Sequence, residues 1–128
     1  DSFIHKLHEI LSNSKVYGEF ISWRPHGRAF VILKPKQMET KVLGNFFDHS
    51  RYSTFLRQLK DYGFKQITQG TDRNCYYHEA FLRGLPHLLR FMPPPKTNRR
   101  RLVPDPDNEP DLFRISELFP LPFPGGAV

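Results

Sequence analysis

The 128 residues contain 19 Lys and Arg side chains against 13 Asp and Glu, which gives a formal net charge of +6. Residues 1–95 carry the whole of this charge, and a basic segment of this kind favours a polyanionic partner. This length predicts a single hydrophobic core, and no apolar run is long enough to cross a bilayer. The single cysteine, Cys75, excludes an internal disulfide, so a reducing intracellular compartment fits the composition best.

The first 33 residues predict a helix followed by a hairpin. Ser2 can cap the helix, which is expected to end at Asn13 and Ser14. The apolar residues between them recur at helical spacing: Phe3, Leu7, Ile10 and Leu11. Residues 20–33 contain two β-rich runs around the sequence Pro-His-Gly, which is typical of a turn.

A second helix is predicted to begin at Pro35, because the fixed φ of proline suits the first helical position. Gly44 lies inside this helix and weakens it, so a distortion or early fraying is expected there. Asp48 or Ser50 is expected to cap the third helix that follows.

The third predicted helix, within residues 48–64, has an apolar and a polar face. The apolar face collects Tyr52, Phe55, Leu56, Leu59 and Tyr62, and the polar face collects Ser53, Thr54, Arg57, Lys60 and Asp61. Arg57 lies near the middle of the polar face, beside small hydroxyl residues that leave room for a bulky partner. Such a helix fits the DNA major groove, where an arginine fork can bind the O6 and N7 atoms of a guanine.

Two further β-rich runs follow Gly63, at residues 64–68 and 75–78. The polar segment between them, residues 69–74, is centred on glycine and predicts a hairpin turn, called the wing below. The order helix, hairpin, helix, helix, hairpin predicts an α+β fold: a winged helix-turn-helix with three helices and a small antiparallel sheet. Four apolar residues are expected to close its core: Phe81, Leu85, Leu88 and Leu89.

Five segments resemble the DNA-binding domain of heat-shock transcription factors. FIHKLHEIL (3–11) is similar to the first helix, ISWRPHGRAFVI (21–32) to the Trp-containing hairpin, and VLGNFFDHS (42–50) to the end of the second helix. STFLRQLKDYGFKQI (53–67) is similar to the recognition helix, and YYHEAFLRG (76–84) to the closing strand. Because the segments follow the family's order, the predicted domains are a winged helix-turn-helix at 1–91 and a proline-rich, mostly irregular tail at 92–128.

The resemblance implies a nuclear transcription factor that binds double-stranded DNA. Arg57 matches the family's base-reading arginine, which implies contact with the guanine of a GAA core within inverted nGAAn repeats. Thr54 and Gln58 are expected to contact bases, sugar or phosphate, and the alternative for each is ordinary helix surface. Phosphate contacts are expected from six residues around the helix: Ser53, Lys60, Tyr62, Lys65, Arg51 and His49.

The sequence departs from the family pattern near this helix. Asp48 stands where a lysine is common, and Lys60 where an uncharged residue is common. Members of the family usually trimerise through a coiled coil that follows the domain, and no sustained heptad pattern occurs here. The chain alone is therefore expected to be a monomer, with a homotrimer formed only through a segment that it lacks.

The tail contains two motifs whose roles stay open. Lys96 and residues 99–101 form a basic cluster that suits a nuclear-import signal, an extra phosphate contact or a solvated linker. The segment DLFRISELF (111–119) places Leu112, Ile115, Leu118 and Phe119 on one face of a short helix. It fits a docking peptide for a protein partner and, equally, a flap packed on its own domain.

Other chemistry has little support. Cys75 and His78 have a metal-like spacing without a second pair nearby, so a packed thiol and a surface imidazole are expected, with no metal and no cofactor. The absence of a glycine-rich phosphate loop, a nucleophile motif and a carboxylate pair disfavours an enzyme. Two other functions stay open: a winged-helix module for protein contacts, and a basic module that binds nucleic acid without sequence preference.

Overall fold

The computed structural model describes residues 2–96 and 105–122. Its strands are β1 (Ile21–Trp23), β2 (Phe30–Ile32), β3 (Lys65–Gln66) and β4 (Tyr76–Tyr77), which form one antiparallel sheet in the order β1-β2-β4-β3. Its α-helices are α1 (Phe3–Ser12), α2 (Ser14–Tyr17), α3 (Pro35–Gln37), α4 (Gly44–Phe46), α5 (Tyr52–Asp61) and α6 (Leu112–Leu118). Short 3-10 helices cover Pro86–Phe91 and Pro106–Asn108. Within the described ranges, every helix is too short or too polar to span a membrane.

The first helix and the hairpin occur where they were predicted. The apolar face of α1 is buried, and the helix ends at Asn13. Ser2 occupies the N-cap position but makes no side-chain cap hydrogen bond; its hydroxyl lies 2.5 Å from Nδ1 of His5 instead. Strands β1 and β2 pair in a register that places Trp23 opposite Phe30.

The sheet joins the two hairpins through Phe30. This residue pairs with Tyr76 across β2 and β4, and its side chain is fully buried. Its ring meets Phe64 and Phe81 edge-on, with centroids 5.7 Å away in each case. Edge-to-face aromatic packing adds to the burial of apolar area, so this cluster fixes the sheet against the helices. Of the residues expected to close the core, Phe81 and Leu89 are buried, whereas Leu85 and Leu88 are half-buried.

The predicted distortion of the second helix is confirmed. Between α3 and α4, residues Met38–Leu43 form π-helical turns, which end immediately before Gly44. Met38, Val42 and Leu43 are fully buried despite the irregular winding. The π turns widen the helix locally and keep all three side chains on the core side.

The capping of α5 differs from the prediction. Neither Asp48 nor Ser50 caps this helix; the N-cap residue is Arg51, and its side chain makes no cap hydrogen bond. The cap comes from the preceding helical segment, because Oε2 of Glu39 accepts a 2.6 Å hydrogen bond from the backbone N–H of Tyr52. A carboxylate at a helix N-terminus also interacts favourably with the helix dipole. The two helical segments on either side of the turn are therefore tied together by one side chain.

Replacing Glu39 with alanine is expected to lower the free energy of unfolding by about 0.5–2 kcal/mol, the usual cost of losing a cap. Urea unfolding of both proteins measures the difference. Glu19→Ala is the control, because Glu19 is an exposed acid whose ion pair with Lys34 is long, at 3.6 Å. Equal losses for the two variants would contradict the assigned role of Glu39.

The wing is held to the first hairpin by Asp72, which is only 6% exposed. Its two carboxylate oxygens accept hydrogen bonds from Nε of Arg24 at 3.0 Å and from Nε2 of His26 at 2.9 Å. Because Nδ1 of His26 accepts from the backbone N–H of Arg28, the ring proton lies on Nε2. We call Arg24, His26 and Asp72 the wing clamp.

Stability is expected to fall as the pH is lowered from 7.5 to 5.5. Burial holds the pKa of His26 below its ordinary value of 6.5, although the hydrogen bond with Asp72 acts in the opposite direction. Burial likewise lowers the pKa of His8, against the hydrogen bond to the Leu82 carbonyl. As the pH falls, these two histidines are therefore protonated at a higher pH in the unfolded chain than in the folded chain. This difference in protonation favours unfolding.

Urea unfolding at pH 7.5, 6.5 and 5.5 tests this expectation. His26→Gln should flatten the pH dependence, whereas the exposed-site control His87→Gln should leave it as in the parent chain. A free energy of unfolding that stays constant or rises towards pH 5.5 would contradict the assignment.

The described part of the tail packs on the wing; we call residues 105–119 the strap. The carboxylate of Glu109 accepts hydrogen bonds from the backbone N–H and the hydroxyl of Thr68. The side chain of Gln69 donates to the Pro106 carbonyl at 2.9 Å. Leu112 is buried in a small cluster with three residues of the hairpins: Ala29, Ile67 and Cys75.

The sequence left two roles open for the segment 111–119, a docking peptide and a flap. The structure shows this segment packed as a flap on its own domain. The predicted apolar face is wrong in part, since Leu118 and Phe119 are 58% and 68% exposed. Phe113 contacts the domain instead: its ring stands perpendicular to that of His26 at 4.7 Å. Within the basic cluster, residues 99–101 lie outside the described ranges.

Candidate nucleic-acid interface

The two faces of α5 differ as the sequence predicts. Phe55 and Leu59 have no exposed surface, which fixes the helix to the core. Arg57, between them in sequence, is exposed, and its side chain makes no hydrogen bond or ion pair with another residue in the described ranges. Helical spacing places Ser53, Arg57 and Lys60 along one outer line, and all three are exposed. A guanidinium fork therefore projects from the centre of a rigid surface.

The remaining predicted contacts fall into two groups. Arg51 is exposed at the N-cap of α5, and Lys65 is exposed on β3. Tyr62 is half-buried, and its ring stacks on Phe3 with centroids 5.5 Å apart and planes at 18°. Thr54 is half-buried on the flank of the outer line. Of these four side chains, Tyr62 alone is packed against an aromatic residue of α1, on the apolar side of α5.

His49 and Gln58 bind each other. Nε2 of His49 lies 2.9 Å from Oε1 of Gln58, and the imidazole stacks on Phe47 with planes at 11°. The other ring nitrogen of His49 is buried without a hydrogen-bond partner in the described structure. Neither ring nitrogen is therefore free for a phosphate in this arrangement. The pairing spans nine residues across the turn, and no local sequence signal indicates it.

Two features near α5 were missed by sequence reasoning. Glu39 caps the helix from thirteen residues away, a distance at which no capping motif operates. The backbone N–H of Lys96 donates to the Asp61 carbonyl at 3.0 Å, which places the first residue of the basic cluster at the C-terminal end of α5. In both cases the contact depends on the tertiary fold, so only the structure reveals it.

Cys75 and His78 are not part of a metal site in the described structure, where no cluster of ligating side chains occurs. The Cys75 thiol is buried, and burial raises its pKa to about 11. A protonated, buried thiol behaves as a small apolar side chain. His78 Nδ1 accepts a hydrogen bond from the Ala80 backbone, so its ring orders the turn after β4.

Comparison with known proteins agrees with this geometry. The sequence model of the HSF-type DNA-binding domain matches residues 3–94. Heat stress transcription factor A-6a of Oryza sativa subsp. japonica is 37% identical over 129 residues, covering 98% of this chain and 30% of that protein. Heat stress transcription factor A-1a of Arabidopsis thaliana is 32% identical over 101 residues, covering 79% of this chain and 19% of that protein. The chain thus spans less than a third of the length of these curated relatives.

Solved structures give the same result. Chaetomium thermophilum Skn7 crystallised with HSE DNA is 27% identical, with a TM-score of 0.63 over 70% of this chain and 96% of that one. A heat shock transcription factor in complex with DNA is 29% identical, with a TM-score of 0.52 over 62% of this chain and 95% of that one. The fold is a winged helix-turn-helix, and this chain belongs to the HSF-type DNA-binding family.

Proposed function

We propose that this chain is the DNA-binding domain of a transcription factor and binds double-stranded DNA sequence-specifically. The observation that carries the proposal is the exposed guanidinium of Arg57 on a helix whose opposite face has no exposed surface at Phe55 and Leu59. With α5 in the major groove, Arg57 reads the guanine of a GAA core within inverted nGAAn repeats. A bidentate arginine–guanine pair discriminates against other bases by about 1–3 kcal/mol.

Phosphate contacts set the register of the helix in the groove. We assign them to exposed or marginal side chains around α5: Ser53, Arg51, Lys60, Tyr62 and Lys65. Thr54 and Gln58 lie beside Arg57 and contact bases. Because cationic contacts release counterions from DNA, the affinity falls as the salt concentration rises.

The proposed DNA-binding unit comprises residues 1–91, followed by the tail at 92–128. The relatives are transcription factors, which favours a location in the nucleus and a non-enzymatic role without a cofactor. A second partner, a protein bound through residues 111–119, is supported by one observation. Leu118 and Phe119 are large apolar side chains that α6 leaves 58% and 68% exposed.

A competition assay tests the proposed function. The chain is titrated against a duplex of inverted nGAAn repeats and a shuffled duplex of equal composition, each at two salt concentrations. Sequence-specific binding requires a clear preference for the repeat duplex at both concentrations. Equal affinities with the same salt dependence would indicate a nonspecific basic module, and negligible binding to both would indicate a protein-interaction module.

A further inference from the structure

The hydrogen bond between His49 and Gln58 has a defined direction. Nδ1 of His49 is buried without a partner among the described residues, and buried N–H groups without an acceptor are rarer than unsatisfied acceptors. The ring proton is therefore on Nε2, which donates to Oε1 of Gln58 at 2.9 Å. Stacking on Phe47, with centroids 5.9 Å apart, fixes the plane of the imidazole.

This bond determines which end of the Gln58 amide is free. A free glutamine can pair with adenine at two points, because its carbonyl accepts from N6 and its amine donates to N7. His49 turns the carbonyl towards the helix-turn-helix loop, which leaves the amine as the free end. The amine donates only, so it matches base edges that present acceptors, such as thymine O4 or guanine O6 and N7.

We propose that His49 is a positioning residue, which orients the Gln58 amide so that Gln58 acts as a hydrogen-bond donor. In this way His49 determines the base preference at a second position, beside the guanine that Arg57 contacts. The inference rests on the proposed DNA-binding function and refines it. Gln58 disfavours cytosine, which presents only an amine donor in the major groove, and it loses the two-point contact with adenine, because only adenine N7 can still accept. His49 itself contacts no phosphate, since one ring nitrogen binds Gln58 and the other is buried.

The test compares the parent chain with His49→Phe, Gln58→Ala and the double variant on a panel of duplexes. Each base pair of the GAA core and its flanks is changed in turn, and affinities are measured by fluorescence anisotropy at one salt concentration. His49→Phe keeps a flat ring beside Phe47 and removes the donor. We expect each single variant to lower discrimination at the same base pair by about three- to tenfold. The double variant should match Gln58→Ala, because both changes remove one interaction.

Several results would overturn the inference. A uniform loss of affinity across the panel with a weaker salt dependence would make His49 a phosphate contact. The positioning role would be excluded if His49→Phe left the base preference at the Gln58 position unchanged. The guanine preference that depends on Arg57 persists in that outcome. Failure of the parent chain to prefer the repeat duplex would instead overturn the proposed function itself.

A second measurement requires no variant and covers the case in which His49→Phe does not fold. Long-range nitrogen–proton NMR spectra of the free chain at pH 8 report which nitrogen of a neutral imidazole carries the proton. We expect the proton of His49 on Nε2. A proton on Nδ1 would reverse the hydrogen bond and overturn the inference.

Discussion

Arg57→Ala is expected to abolish the preference for the inverted-repeat duplex over the shuffled duplex. Loss of a bidentate guanine contact costs about 1–3 kcal/mol, which corresponds to a roughly five- to 150-fold lower affinity for the repeat duplex. Affinity for the shuffled duplex should change far less. Because Arg57 is exposed, the free energy of unfolding should stay within about 0.5 kcal/mol of the parent chain. Anisotropy titrations on both duplexes and urea unfolding measure these quantities.

Lys60→Ala is the matched control for Arg57→Ala, since Lys60 lies on the same exposed line of α5. Removal of the Lys60 ammonium should weaken binding to both duplexes equally. It should also lower the slope of log affinity against log salt concentration by about one. The proposed base contact would be wrong if Arg57→Ala also weakened both duplexes equally.

Leu112→Ala is expected to release the strap and expose Cys75. Leu112 is 6% exposed and packs in the same small cluster as Cys75, so truncating it removes apolar contacts and leaves a cavity. Leu→Ala changes in a core cost at least about 2 kcal/mol, which would increase the population of the open strap on the order of 30-fold. The rate at which a thiol reagent labels Cys75 in the native chain should rise by a similar factor.

Leu118→Ala provides the control for the strap, because this leucine lies on the same helix but is 58% exposed. It should leave both the labelling rate and the free energy of unfolding unchanged within about 0.5 kcal/mol. Equal labelling rates for Leu112→Ala and the parent chain would show that Leu112 does not control access to Cys75.

The order of the elements could be predicted because each one has a local signal. The spacing of Phe55 and Leu59 predicts the buried face of α5, and Gly44 predicts the irregular second helix. The strap could not be placed, because a proline-rich composition does not indicate what a segment packs against. Helical periodicity put Leu118 on the apolar face, whereas tertiary contacts with the wing clamp selected Phe113 instead.

The candidate site likewise has one part that the sequence predicts and another that it does not. The position of Arg57 follows from the pattern of a single helix, so the sequence was sufficient to place its side chain outside. The pairing of His49 with Gln58 crosses a turn and needs the relative placement of two segments. The burial of Asp72 likewise depends on two loops that meet only in the folded chain.

The Glu39 carboxylate affects how α5 can bind a phosphate group. Many helices hold anions at their N-terminus, where unpaired amides and the positive end of the dipole form an anion pocket. In α5 a carboxylate already sits at that end and accepts the Tyr52 amide. The backbone amide of Tyr52 is therefore not available to a phosphodiester, and attachment of α5 to the DNA backbone depends on side chains such as Arg51 and Lys60 instead of on a dipole-based anion pocket.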